Sequence, residues 1–581
     1  MTLELVFENA LIHDGTGRVA YRADVGVQGE HIAAIGRLNH VEATRRIDAS
    51  RAVLCPGFID IHTHADMAMH RPDNPKYLEP LIRQGITTFV GGNCGVAMAP
   101  VSTRNRIFQM MFYDFFLGED QEPLIHWNSF GDMLSVMEKQ GMAMNAGVLA
   151  PHGIIRMDAM GDSTDRAGVP ELRSMKALLS ECMEAGAMGM STGLQYFPGL
   201  ASDTWELTEL ARIVHDHHGV FTSHLRSYSS NTIGKAIDEV VTVCRDAQVP
   251  VQISHLFWVP NFPGPLNKMA FTALKGLSAI YQHRRFPFPI ESAVKPNLVH
   301  IQKLVDQGYP IGVDAMPTSA GFTHALAFFP PWSLQGGYNQ IKKRLSTPSE
   351  RAAIYDAIVN GQAVWPHRDG NTWSMNFLKL LGFSGTYIMS VKSDKNRDVI
   401  GKSINELGEY RKAKPFDALC DLLLEEDGRV LLFETATFPG DPFVELSVQG
   451  SLVDPNVAIV TDSILLGFGL PSHLFYDCYP KFLGEYVREK KLIGLGEAIR
   501  KSTSLPAKYM GLRNRGEVKV GNYADLVLFD PKTIRSKSTV SDPWHFPEGI
   551  KNVVINGHVV VDEKGYHPEP RPGKLIRRGD S

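Results

Sequence analysis

The sequence predicts an α/β protein: a (β/α)8, TIM-like barrel with insertions, plus a small β-sandwich domain that both termini form together. Three observations support this fold class. Short apolar runs typical of strands alternate with helical patterns through the middle of the chain, as in parallel sheets with helical crossovers. Polar residues capable of metal binding repeatedly follow those runs. Both ends of the chain instead contain closely spaced short strands separated by glycine turns.

The two terminal regions are predicted to pair with each other. Short alternating runs occupy residues 3–36, and runs of the same character occur at 524–530 and 553–561. A small isolated sheet is marginally stable, so a composite sheet is favoured. We therefore assign residues 1–55 and 511–581 to the small β domain and its tail, and residues 56–510 to the barrel.

Two parts of the barrel region interrupt the regular alternation. They span about 256–310 and 330–450 and are rich in proline, phenylalanine and tryptophan. Structureless loops of this length are uncommon in compact domains. We expect insertions over the barrel mouth that shape a substrate pocket.

Composition excludes several classes of function. The chain has 581 residues, of which 44% are hydrophobic and 21% charged, and its net charge is −4. This balance provides no basic surface for nucleic acid or for an anionic membrane, and no apolar run approaches about 18 residues. The six cysteines lack paired spacing, which favours a reducing compartment and a cytoplasmic location. We expect a small-molecule substrate, with neither nucleic acid nor membrane as partner. The sequence does not decide whether the protein forms a homo-oligomer.

The segment 56–64, PGFIDIHTH, contains the first candidate metal ligands. The short apolar run after Pro56 and Gly57 reads as a buried strand that ends in His62 and His64. Residues two apart on a strand share a face, so the two imidazoles can converge on one cation. Taken alone, the pair is equally consistent with structural histidines.

Four more candidates follow predicted strands. Cys94 lies after the run 87–90, His224 after 220–223, His255 after 249–254 and Asp462 after 457–461. Side chains at the C-terminal ends of parallel strands form the active sites of (β/α)8 barrels. The sequence therefore predicts one metal site with six members. For each of these four a structural role is the alternative: an inert thiol, hydrogen-bonding histidines, or a helix cap.

These motifs resemble the metal-dependent amidohydrolase superfamily and, within it, the D-aminoacylase (N-acyl-D-amino-acid deacylase) family. PGFIDIHTH at 56–64 is similar to the opening motif of the family, and GGNCG at 91–95 to its cysteine motif. Further similar segments are GMSTGLQY at 189–196, TSHLR at 222–226, ISH at 253–255 and VTDS at 460–463. The resemblance covers nearly the full length of the chain.

The resemblance implies one or two Zn²⁺ ions. His62, His64 and Asp462 would bind one ion. Cys94, His224 and His255 would bind the other, which is usually the tightly held zinc. The fourth strand offers no lysine for the carbamylated bridge of many amidohydrolases, and a Cys94 thiolate could supply the bridging charge instead. Asp462 would act as the catalytic proton shuttle.

Substrate contacts are predicted from seven residues around these motifs: His152, Ser191, Tyr196, Arg226, Phe257, Met316 and Thr318. For His152 a packed loop histidine is equally consistent. The Tyr-Pro-Tyr segment of the family is replaced here by Met316-Pro317-Thr318, and the lysine expected near His255 is replaced by Phe257. These differences predict a more apolar pocket than in typical members.

The predicted function is zinc-dependent hydrolysis of a C–N amide bond other than a peptide bond. A cyclic amide hydrolase or a deaminase of the same superfamily is the alternative within enzymes. A non-catalytic scaffold is the alternative outside them, and the presence of all six ligand positions disfavours it.

Overall fold

The computed structural model describes residues 2–106, 124–261, 265–361, 375–435, 437–464 and 469–579. Its centre is a barrel of eight parallel strands, which confirms the predicted fold class. Leu149 divides the third strand into two pieces. In chain order, the barrel strands are Phe58–Asp60, Ile86–Gly91, Asn145–Val148 with Ala150–Pro151, Gly189–Gly193, Val220–His224, Val251–Ile253, Ile311–Ala315 and Val457–Ile459.

Hydrogen bonds at and just beyond the ends of the first and eighth barrel strands join the two strands. The Asp60 carboxylate accepts hydrogen bonds from the main-chain N–H and the hydroxyl of Thr461, at 3.2 and 2.6 Å. The main-chain N–H of Asp462 donates to the carbonyl of His62 at 2.9 Å. These bonds bring the segments that carry His62, His64 and Asp462 side by side.

Helices surround the barrel because each parallel crossover must return to the same edge of the sheet. From the first strand to the seventh they are Asp66–Met69, Asn74–Arg83, Phe130–Gln140, His152–Met160, Val169–Glu184, Thr204–Asp216, Ile233–Ala247, Pro265–His283 and Lys295–Asp306, with short 3₁₀ turns at Gly199–Ala201 and Pro289–Ser292. After the eighth strand come Leu474–Lys481, the π-helical Phe482–Glu489, Leu495–Ser502 and Ser504–Met510.

Both termini contribute to one nine-stranded sheet, so the predicted pairing of the chain ends is confirmed. Val53–Pro56 pairs antiparallel with Leu526–Phe529, with Leu54 opposite Leu528. The remaining strands of this sheet are Leu3–Ile12, Tyr21–Gln28, His31–Gly36, Ala43–Asp48, Ile550–Ile555, His558–Asp562 and Gly565–Tyr566. Beyond it the C-terminal tail runs against the third barrel strand, where Ile576 donates its main-chain N–H to Ala146 at 2.8 Å.

The segment between the seventh and eighth barrel strands has a sheet of its own, called here the insertion sheet. Its three antiparallel strands are Gly321–His324, Thr386–Val391 and Val430–Glu434, with Val430–Glu434 in the middle. The helices of this segment are Gly337–Ser346, Pro348–Asn360, Phe377–Leu381, Ile404–Arg411, Pro415–Glu425 and Leu446–Val453, with 3₁₀ turns at Ala325–Phe328, Pro331–Leu334 and Asp394–Val399. Within the described ranges, no helix is long and apolar enough to cross a membrane.

Candidate metal centre

The six predicted ligand residues converge at the C-terminal ends of the barrel strands. The Cys94 thiol is at their centre: its Sγ lies 3.4 Å from Nε2 of His62, 3.7 Å from Nδ1 of His224 and 3.9 Å from Nε2 of His255. The Asp462 carboxylate lies 3.4 Å from His62 Nε2 and 3.6 Å from His64 Nε2. The cluster thus consists of two groups that share Cys94.

Three of these residues have left-handed backbone conformations. The φ angles are 54° at Cys94, 34° at His255 and 46° at Asp462. Non-glycine residues rarely adopt positive φ, and such strain concentrates at functional sites. Each residue lies two or three positions beyond the end of a strand, so the turn redirects its side chain towards the common centre.

Buried polar side chains fix the loop that carries Cys94. The Ser191 hydroxyl accepts a hydrogen bond from the Gly95 N–H at 3.0 Å and donates to the Gly92 carbonyl. The Asn93 amide donates to the carbonyls of Val90 and Thr63, at 2.9 and 3.3 Å. Ser191 therefore positions the Cys94 loop from the fourth barrel strand.

The electrostatics of the cluster favour a thiolate and a carboxylate. Burial alone would raise the pKa of the Cys94 thiol, but the adjacent His62, His224 and His255 lower it well below its ordinary value. Burial likewise opposes ionisation of Asp462, yet His62 and His64 hold the pKa of its carboxyl well below its usual range. Burial and the neighbouring His255 lower the pKa of His224 to about 4. This last imidazole is therefore neutral near pH 7, the form in which histidine binds metals.

The donor set fits zinc in both chemistry and spacing. Ligand atoms about 2.0–2.3 Å from a tetrahedral Zn²⁺ lie roughly 3.4–3.6 Å from each other. The distances from Cys94 to its three imidazole neighbours, 3.4–3.9 Å, are close to that range. A thiolate with imidazoles is a donor combination that suits zinc.

Neighbouring residues orient the histidines. Gln195 Oε1 lies 2.9 Å from Nε2 of His224, the nitrogen that points away from Cys94. The Asp314 carboxylate accepts a hydrogen bond from the main-chain N–H of His255 at 2.6 Å and another from the Gln252 amide at 2.7 Å. Such outer contacts fix ring orientation and tautomer.

A cavity of about 620 Å³, called here the metal-side cavity, opens from the cluster. It is lined by His224, His255 and Asp462 and by three of the predicted substrate residues, Tyr196, Phe257 and Met316. A second cavity of about 760 Å³, called here the apolar chamber, has mostly hydrophobic walls. Met316 lines both cavities, and Thr318 lines the apolar chamber.

The other predicted substrate residues lie within the protein packing. Arg226 is fully buried and forms two 2.9 Å bonds with the Glu239 carboxylate; it also donates to the carbonyls of Leu200 and Ser202. His152 is also fully buried, and its Nε2 lies 2.8 Å from Glu206. With Ser191, these residues hold the surrounding loops and helices.

Sequence reasoning missed two residues around the centre. Glu434, at the end of the middle strand of the insertion sheet, lines both cavities. His324, at the end of another strand of that sheet, lines a smaller space with His64, Cys94 and Asp462. Their strands are short and distant in sequence from the barrel motifs, and no local pattern marked either residue.

The fold and the cluster define the class: a (β/α)8 barrel with a candidate cysteine–histidine–carboxylate metal centre at its strand ends. The model of the amidohydrolase family matches residues 45–253 and 457–561, more than half of the chain. The chain belongs to the amidohydrolase family.

Individual relatives match along almost the whole chain. N-acyl-D-glutamate deacylase of Alcaligenes xylosoxydans xylosoxydans is 29% identical, covering 100% of this chain and 97% of the relative. D-aminoacylase of the same organism is 27% identical, covering 99% and 98%. The crystal structure of D-aminoacylase described as defining a novel subset of amidohydrolases has a TM-score of 0.73 and 25% identity, covering 99% of this chain and 100% of that one. A D-aminoacylase structure concerned with its binuclear metal centre matches with the same values.

Proposed function

We propose that the protein is a zinc-dependent hydrolase that cleaves the amide bond of an N-acylated amine of the N-acyl-D-amino-acid type. The observation that carries this proposal is the position of Asp462. Its carboxylate lies beside two imidazoles of the cluster and at the wall of the metal-side cavity. The relatives named for deacylation of N-acyl-D-amino acids supply the substrate class.

His62, His64 and Asp462 would hold one Zn²⁺, while Cys94, His224 and His255 would hold the other, with the thiolate shared between them. Bound zinc supplies Lewis-acid polarisation of the scissile carbonyl and makes water more acidic. D-aminoacylase itself is described in terms of one-metal activation and second-metal attenuation. One or two ions per chain are therefore both part of the proposal.

Asp462 carries out the proton transfers. Its low pKa keeps the carboxylate ionised near pH 7, so it can accept a proton from the attacking water. The same group then delivers that proton to the nitrogen that leaves with the amine. An amide nitrogen is a poor leaving group until it is protonated, so this second transfer is required.

The remaining predicted residues divide into two roles. Tyr196, Phe257, Met316 and Thr318 line the cavities and would contact substrate. Ser191, His152 and Arg226 would act as positioning residues, because their described bonds go to loops and helices around the site.

The test is hydrolysis of matched N-acetyl-D- and N-acetyl-L-amino acids by zinc-loaded protein, with detection of free amine and acetate. Asp462→Asn should retain the zinc held by Cys94, His224 and His255 and lose several orders of magnitude in kcat. The matched control is Asp394→Asn, whose side chain is 81% exposed and which should retain full activity. A fully active Asp462→Asn enzyme would contradict the proton-shuttle role. Protein that leaves these compounds intact and releases ammonia from an amino-substituted heterocycle would instead be a deaminase.

A further inference from the structure

The metal-side cavity and the apolar chamber adjoin each other. Their linings share Phe257, Met316, Gly321, Phe377 and Glu434. A substrate bound for hydrolysis at the cluster can therefore extend past these five residues into the apolar chamber. Whatever group it carries at the junction faces Glu434.

The titratable side chains along this path are two carboxyls, two histidines and a tyrosine. Among the described residues that line the two cavities there is no lysine or arginine. The carboxyls along the path are those of Asp462, at the cluster, and Glu434, at the junction. A free carboxylate on the substrate would thus be buried without a described cation to pair with it.

The insertion sheet places Glu434 at the junction of the two cavities. Glu434 is paired with Gly321 on one side and Thr386 on the other. Gly321 has no side chain, and a Cβ placed there would lie 3.9 Å from Glu434 Oε2, so the carboxyl lies beside the glycine. The residue is only 8% exposed.

No described residue forms an ion pair or a side-chain hydrogen bond with the Glu434 carboxyl. Burial accordingly raises its pKa well above the ordinary value. A buried polar group without a partner is costly, and a ligand that supplies the missing hydrogen bond recovers that cost. A ligand carboxylate at the same place would instead bring a buried negative charge that no cation among the described lining residues offsets, which raises the cost further.

Building on the proposed function, we infer that Glu434 selects amides whose amine portion carries a nitrogen donor, an amine or a carboxamide, where an N-acyl amino acid carries its free carboxylate. The Glu434 carboxyl accepts a hydrogen bond from that N–H group. The apolar chamber takes a hydrophobic substituent of the same molecule. Glu434 is thus a specificity-determining residue, separate from the hydrolytic centre.

The test compares three N-acetylated compounds with the same scissile amide and the same isobutyl side chain: N-acetyl-D-leucine, N-acetyl-D-leucinamide, and the analogue with an aminomethyl group in place of the carboxylate. For zinc-loaded wild type we expect kcat/KM to favour the two nitrogen-bearing compounds over the carboxylate by about 100-fold. A preference for N-acetyl-D-leucine would overturn the inference.

Two variants locate the effect at Glu434. Glu434→Gln retains a hydrogen-bond acceptor but cannot ionise to pair with an ammonium group, so it should keep the carboxamide preference and lower kcat/KM for the aminomethyl compound at least tenfold. Glu434→Leu should reduce both preferences to within about threefold. The matched control is Glu426→Gln, a buried acid bonded to Ser393 and Asn396 outside both cavities, which should leave the ratios unchanged. Unchanged kcat/KM ratios in both Glu434 variants would refute the role of this residue. If Glu434→Leu does not fold, the result for Glu434→Gln alone decides.

A binding measurement separates this inference from the proposed function. If none of the three compounds is hydrolysed by zinc-loaded protein, the proposed amide hydrolysis is refuted. The same compounds are then compared by isothermal titration calorimetry. Tighter binding of the nitrogen-bearing compounds supports the selectivity of Glu434, and tighter binding of the carboxylate overturns it.

Discussion

The hydroxyl of Tyr479 donates to the main-chain carbonyl of Ile459, 3.0 Å away, on the eighth barrel strand. The same hydroxyl lies 3.2 Å from the carbonyl of Ile59 on the first strand. One fully buried side chain therefore spans the seam where the barrel closes. Both strands continue directly into the candidate metal centre, so barrel closure and site geometry depend on the same contact.

Tyr479→Phe should lower the free energy of unfolding by about 1–3 kcal/mol, because it leaves buried carbonyl oxygens without this donor. Urea denaturation monitored by circular dichroism provides the measurement. Tyr355→Phe is the matched control, since Tyr355 is 43% exposed. Equal unfolding midpoints for the two variants would show that the hydroxyl contributes nothing to closure.

Cys94→Ala should reduce the zinc content of purified protein, because the thiol is common to both ligand groups. Plasma emission spectrometry measures zinc per chain. Cys244→Ala removes a buried thiol from the crossover helix Ile233–Ala247, which belongs to neither ligand group, and should retain the wild-type zinc content. Full zinc occupancy in Cys94→Ala would exclude this residue as a ligand.

Ser191→Ala should weaken zinc binding by about 10–100-fold without removing any ligand, since it releases the Cys94 loop from the fourth strand. Competition with a chromogenic chelator measures the affinity. Ser390→Ala is a suitable control, because Ser390 is equally buried but belongs to the insertion sheet. An unchanged zinc affinity in Ser191→Ala would show that the loop holds its position without this hydroxyl.

The positions of the six cluster residues could be predicted because each follows a recognisable apolar strand. Parallel strands bring their carboxyl ends to one rim, so sequence order was sufficient to place His62, His224 and Asp462 together. The sequence also indicates a turn at Cys94, because Gly92 and Gly95 flank it. Both glycines have a φ of 73° in the structure. The local sequence pattern and the barrel topology were therefore enough to predict the positions of most residues of the candidate site.

Residues whose environment depends on distant partners could not be predicted in the same way. Glu434 reaches the cavities only because Val430–Glu434 pairs with two strands remote in sequence. Arg226 lies two residues after the candidate ligand His224, which made substrate contact a reasonable expectation. Its carboxylate partner is Glu239, 13 residues further along, on a helix whose rotation the sequence does not specify.

Glu206→Gln provides a prediction for stability and its dependence on pH. The Glu206 carboxylate lies 2.8 Å from Nε2 of His152 and 3.1 Å from Nε of Arg156, and all three side chains are buried. Breaking a buried ion pair on one side costs about 3–5 kcal/mol. Glu209→Gln, which removes partly exposed pairs with Lys176 and Arg212, should cost less than about 1 kcal/mol.

The pH dependence follows from the direction of the Glu206 shift. Burial raises the pKa of this carboxyl, but His152 and Arg156 outweigh burial and lower it below its ordinary value of 4.5. A carboxyl whose pKa is lower in the folded state stabilises the fold fully above its unfolded pKa and loses that contribution as pH falls through the folded pKa. The contribution of Glu206 ionisation to the difference in unfolding free energy between wild type and Glu206→Gln should therefore shrink as the pH falls below about 4.5. Urea midpoints measured above and below this pH provide the check, and a difference that grows on acidification would contradict the assigned ion pair.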